Sequence, residues 1–66
     1  MKIILTVKQI RKERKMTLKQ LSIKSGVSTT HISDIENGER GASLEVMIRL
    51  AKAFNLPIEL LYKVKW

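Results

Sequence analysis

Thr17 to Asn37, TLKQLSIKSGVSTTHISDIEN, is the stretch whose reading decides the fold. Thr17 with Gln20 forms a T-x-x-Q capping box, so a helix starts there. Leu21 and Ser25 share one face of that helix, and small Ser22 beside Leu21 lets a neighbour approach closely. Gly26 follows, where a helix C-cap needs a positive φ that glycine adopts without strain. Ser28 offers its side-chain oxygen as the N-cap of a second helix, predicted from about Thr29 to Glu36. Ile32 and Ile35, three apart, are its buried stripe, and Asn37-Gly38 is a strong breaker that ends it.

Helix, glycine turn, helix at this spacing is the helix-turn-helix arrangement, in which the second helix enters the major groove of DNA. The charge distribution bears on the same reading. Net charge is +7. From Met1 to Ser33 eight Lys/Arg stand against one acid, Glu13, whereas Asp34 to Trp66 holds five of each. The whole excess lies with the first three helical segments, where a field of that sign attracts a polyanion. Charge alone reads equally well as a solvated, solubilising face; charge with this spacing favours nucleic acid.

Outward from this stretch, the 66 residues make one domain, 1–66, with a modest core. There is no cysteine, hence no disulfide framework and no thiolate metal site, and the single histidine cannot build a zinc site of the usual kinds. His31, Ser33 and Asp34 hold the letters of a catalytic triad, but at i, i+2 and i+3 on one helix they cannot converge. No enzyme, no metal and no cofactor is expected. Apolar runs such as Ile3 to Leu5 are too short for a signal peptide or a membrane span, so a soluble, cytoplasmic protein is expected.

Met1 to Leu5 is short, apolar and β-branched, a strand pattern. Thr6 with Gln9 reads as another capping box, starting a first helix whose inner side is Val7, Ile10 and Arg14 and which Met16 closes against the core. Lys8, Lys12 and Lys15 face away, and for Lys12 and Lys15 plain solvation is the better reading. After the loop Glu39–Ala42, Ser43 is a good N-cap and Glu45 suits the first turn. Leu44, Met47, Ile48, Leu50, Ala51 and Phe54 follow a helical period, and Asn55 ends this fourth helix. Pro57 fits the first turn of a fifth helix, with Ile58, Leu60 and Leu61 covering the open side of the core. The tail Tyr62 to Trp66 alternates with period two. An antiparallel ribbon between about Lys2–Leu5 and Lys63–Trp66 is predicted; frayed termini are the other reading. The predicted fold is mainly α: five helices with a helix-turn-helix, plus the two-stranded ribbon pairing the chain termini.

These residues resemble the phage repressor and Cro type of helix-turn-helix regulators, the XRE family. The carrying residues are Ile10-Arg11, Thr17, Leu21, Gly26-Val27-Ser28, Ile32, Ile35-Glu36-Asn37-Gly38, Ser43-Leu44, Leu50-Ala51 and Phe54. The match runs from about Val7 to Leu61, and GVSxxxIxxIENG is its specific segment. Leu18 departs from the family, which often has a phosphate-contacting glutamine there, and Ala42 stands where a proline is common.

The resemblance implies five helices, two-fold dimeric binding to operator DNA and transcriptional control. It pairs Arg11 with Glu36 as a partly buried ion pair tying the first helix to the end of the recognition helix. It places Thr29, Thr30, Ser33 and Asp34 on the base-reading face. Thr can donate or accept at a base edge, and ionised Asp34 can only accept, which suits a cytosine amino group. Lys19, Lys24, Ser28, His31, Asn37 and Arg40 are the candidate phosphate contacts, with an idle histidine and merely solvated Lys24 and Arg40 as the alternatives. Ile3, Leu5, Leu60, Tyr62, Val64 and Trp66 offer apolar surface for a homodimer seam. The same patch could instead bind a partner protein, as in a DNA-binding antitoxin. The expected partners are double-stranded DNA with an inverted-repeat operator and a second copy of the chain. No membrane and no small-molecule ligand are expected, and a bacterial or phage-encoded, nucleoid-associated location is.

Overall fold

The computed structural model describes all residues from Met1 to Trp66. Strand β1, Lys2–Leu5, comes first. Four helices follow: α1 Val7–Glu13, α2 Leu18–Ser25, α3 Thr29–Glu36 and α4 Leu44–Phe54. A 3-10 turn, Ile58–Leu61, leads into strand β2, Tyr62–Lys65.

Every helical element gives the core at least one side chain, and α4 gives four. Val7, Leu21, Ile32, Leu50, Phe54 and Leu61 are all fully buried. Each contributes about 1.5–3 kcal/mol relative to exposure. Met47 and Ala51 complete the α4 stripe at helical spacing. Leu44, 69% exposed, and Ile48, 52% exposed, are not part of it. Leu44 opens the first turn, beyond the reach of the neighbouring helices, and Ile48 lies one residue round from Met47 on the helix flank.

The start of α1 corrects the Thr6–Gln9 box. Thr6 makes no side-chain cap, and its φ −105, ψ 12 is not the extended geometry a cap needs. Its hydroxyl donates to the Leu60 carbonyl at 2.7 Å and its N–H to the Leu61 carbonyl at 2.9 Å. Gln9 donates to Glu13 instead. A tertiary acceptor outcompetes the local one. α1 ends at Glu13, with Lys15 at φ 55, so half-buried Met16 packs on the core from beyond the helix.

The fifth helix is a single 3-10 turn. Pro57 precedes it in extended conformation, φ −66 and ψ 147, and Tyr62 is already extended at φ −146 and ψ 157. The turn cannot lengthen because the period-two tail pairs with β1 at once. That pairing is antiparallel: Lys2↔Lys65, Ile3↔Val64, Ile4↔Lys63 and Leu5↔Tyr62. The ribbon thus starts at Tyr62, one residue earlier than predicted, and Trp66 lies outside it, 93% exposed. Arg14 completes the α1–α4 contact. Its guanidinium donates to the Phe54 carbonyl at the end of α4 and lies 5.7 Å from the Phe54 ring centroid.

Candidate nucleic-acid interface

The α2–α3 corner is fixed by local hydrogen bonds. At its start Thr17 and Gln20 form a complete capping box. At its end Gly26 adopts φ 75 and its N–H donates to the Ser22 carbonyl at 2.9 Å. A Cβ there would also stand 3.2 Å from Arg49 Nη1. Buried Ser25 accepts from the Val27 N–H at 3.1 Å, which tightens the turn and turns Val27 into the core. Ser28 Oγ accepts from the His31 N–H at 3.1 Å. Ile32 and Ile35 then press α3 onto the core, leaving its other sides free.

Thr29 and Thr30 are fully outside, while His31, Ser33 and Asp34 are half-buried along the flanks. Asn37 ends the helix, and its amide reaches toward Ser33 Oγ at 3.5 Å. The next turn folds back on Asp34, whose carbonyl accepts from the N–H groups of Glu39 at 2.9 Å and Arg40 at 3.3 Å. The Arg40 guanidinium stands 4.0 Å from the Asp34 carboxylate. Arg40 and Asp34 are therefore neighbours, a pairing that the chain's spacing does not announce. Lys19 is exposed on α2, beside the Thr17 cap. Lys24 lies at the far end of α2 and lines a cleft with Ile48, Arg49 and Lys52.

Glu36 is held by Arg11. Nε donates to Oε2 at 2.7 Å and Nη2 to Oε1 at 3.0 Å, while Nη1 donates to the Met16 carbonyl at 2.8 Å. Both side chains are largely buried, 12% and 5% exposed. The Glu36 hydrogen bond, helped by its charge, raises the Arg11 pKa against the opposing effect of burial. No group of three His, Asp or Glu side chains is placed to hold a metal ion, and no helix is long and apolar enough to cross a membrane.

A Helix-turn-helix family model matches residues 7–61. The chain belongs to this family, the XRE/Cro type of transcriptional regulators. Among curated helix-turn-helix relatives, the HTH-type transcriptional repressor RghR of Bacillus subtilis is 48% identical over 59 residues, covering 86% of this chain and 44% of that protein. The competence pilus inhibition repressor of Acinetobacter baylyi is 38% identical over 56 residues, covering 85% of this chain and 51% of its own length. The chain thus spans about half the length of these relatives or less. Among solved structures, the restriction-modification controller protein C.AhdI of Aeromonas hydrophila superposes with a TM-score of 0.78 at 23% identity, covering 80% of each chain. That likeness is one of fold.

Between the ribbon and α4, the helix-turn-helix domain carries an apolar groove of about 460 Å³. It is lined by Ile3, Leu5, Ala42, Leu44, Met47, Ile58 and Tyr62. Ile3, Leu5 and Tyr62 thus meet there, and Val64 shares their ribbon face through its pairing with Ile3. Leu60 does not join them. It lines a separate cleft with Thr6, Gln9 and Lys63. Leu44 and Ile58 both line the groove. Ile58 also packs against the core as read from sequence, whereas Leu44, read as part of the α4 stripe, is exposed at the first turn of that helix.

Proposed function

We propose that the chain is a sequence-specific, dimeric DNA-binding repressor that blocks a promoter sterically. The observation that carries this is α3. Its apolar residues are spent on the core, its start is capped, and it offers Thr29 and Thr30 on an exposed polar face. Ser33 and Asp34 extend that face along the groove. Lys19, Lys24, Ser28, His31, Asn37 and Arg40 contact phosphate around it. Arg11 and Glu36 brace the helix; because Glu36 is neutralised, it does not repel the backbone.

The helix carries no Arg or Gln for a bidentate base contact, so affinity leans on phosphate contacts and on DNA shape. Two such helices, one per protomer, enter successive major grooves about 34–36 Å apart. The names of the repressor relatives support the sign of regulation.

The test is selection of binding sites from a random duplex pool, followed by titration at two salt concentrations. An enriched inverted repeat with half-sites about one turn apart supports the reading. Salt-sensitive binding with no enriched motif overturns specificity. The apolar groove then favours the second reading, a module that binds a partner protein there.

A further inference from the structure

The terminal ribbon has two unlike faces. Residues directly opposite in an antiparallel pair share a face, as do residues two apart along a strand. Ile3 with Val64 and Leu5 with Tyr62 therefore make one face apolar. Lys2 with Lys65 and Ile4 with Lys63 put three ammonium groups on the other. None of the three lysines forms an ion pair within the protomer. Like charges directly opposite disfavour strand pairing. The Lys2–Lys65 pair is thus a like-charge pairing with no carboxylate partner in the protomer.

The cleft between β1 and the end of α3 shows what can offset it. Lys2 lines that cleft together with Asn37 and Arg40, in a space of about 470 Å³. Its one acid, Glu36, is already neutralised by Arg11. Gly38 and Gly41 form part of its wall, and a Cβ at either would meet nothing within 4 Å. The cleft is open, its cations Lys2 and Arg40 stand beside apolar Ile3, Ile4, Leu5 and Ile35, and Lys65 lies next to it, opposite Lys2 on the ribbon. Arg40 is shared with Asp34, so Lys2 and Lys65 are the charges there with no carboxylate partner.

We propose that Lys2 and Lys65 form a phosphate clamp on DNA, adjoining Asn37 and Arg40, so that pairing the chain ends creates part of the DNA-binding surface. The clamp rests on α3 being the recognition helix. It assigns the ribbon's lysine face to DNA and leaves its apolar face for a second protomer. Lysines on edge strands can also serve only to block edge-to-edge association, and the experiment separates the two roles.

Full-length chain, its Lys2→Gln/Lys65→Gln variant and Lys63→Gln are titrated with the selected duplex and a random duplex across a salt series. Lys63 has the same charge on the same ribbon face but is opposite Ile4 rather than Lys2, and lines a different cleft with Thr6 and Gln9. The double variant should weaken both duplexes alike and flatten the slope of log K against log salt by about 0.9 per lost contact, up to about 2. Lys63→Gln should leave the slope unchanged. Lys2→Arg/Lys65→Arg, which keeps the charge, should keep the slope even if the glutamine variant folds poorly. An unchanged slope in the double variant while the parent chain binds normally overturns the clamp alone; assembly of that variant beyond the parent's oligomeric state then assigns the lysines to edge protection. An equal loss from Lys63→Gln also overturns it, in favour of a general field. Absence of DNA binding by the parent chain removes the clamp together with the reading beneath it.

Discussion

Arg11 ties three parts of the chain with one guanidinium: α1, which carries it, the Met16 carbonyl after α1, and Glu36 at the end of α3. Arg11→Met leaves a largely buried carboxylate unpaired and should cost about 3–5 kcal/mol, read as a lower urea midpoint at unchanged slope. Adding Glu36→Leu should recover most of that loss, because a well-packed apolar pair replaces a buried ionic one. A single variant losing under about 1 kcal/mol would mean the pair behaves like a surface bridge. Because Glu36 raises the Arg11 pKa, the charge on Arg11 persists through the ordinary arginine range. Its contribution is complete below that range and is lost only as pH rises through the raised value. Thr30 is the opposite kind of residue, exposed and without a structural bond. Thr30→Ala should cost about 1–3 kcal/mol on the selected site and little on random DNA. An equal loss on both duplexes would reduce Thr30 to a support for the helix. Glu36 as the partner of Arg11 was legible only through the family resemblance, since no local pattern links residues 25 positions apart, and the Met16 carbonyl was not legible at all.

Caps were legible where both partners lie within one helical turn. Thr17, Ser28 and Ser43 each accept the N–H of the residue three along. Thr6 has the same letters and a different bond, because its acceptor, the Leu60 carbonyl, is 54 residues away. The distinction is measurable. Ser28→Ala removes an N-cap and should lower stability by about 0.5–2 kcal/mol. Thr6→Ala removes the tie between α1 and the 3-10 turn and should lower it by about 0.5–1.5 kcal/mol. Loosening of the ribbon should follow only the second, seen as faster amide exchange in β1 and β2. Equal exchange in both variants would show that the tie does not hold the chain ends. The 3-10 turn itself was illegible for a related reason. Pro57 and the apolar residues after it suit a helix locally, and strand pairing with β1 decides otherwise. In α4 the stripe was legible and its edges were not, because period alone does not say where the neighbouring helices stop.

At the scale of the whole molecule, ten large hydrophobic residues remain exposed on a chain of this size. Three of them, Ile3, Leu44 and Tyr62, converge with buried Met47 in the groove between the ribbon and α4. A stable interface buries about 800 Å² on each partner, and the proposed second protomer would centre on Ile3, Leu44 and Tyr62. Leu44 is the position to change. It follows the Ser43 cap and is already in water, so Leu44→Glu disturbs no packing in the protomer. A carboxylate in the first turn also favours the helix dipole, so the melting temperature of the isolated protomer should hold or rise. In the dimer the same carboxylate would be buried beside Met47 and Ile58 without a partner, which is strongly unfavourable. Sedimentation should therefore show the variant as a monomer where the parent chain is a dimer. Affinity for a two-half-site duplex should fall while affinity for a single half-site stays. Leu60→Glu, in the other cleft, should leave the dimer intact. Dissociation by Leu60→Glu and not by Leu44→Glu would move the seam to the 3-10 turn. A parent chain that sediments as a monomer on the intact operator would remove the two-helix mechanism altogether.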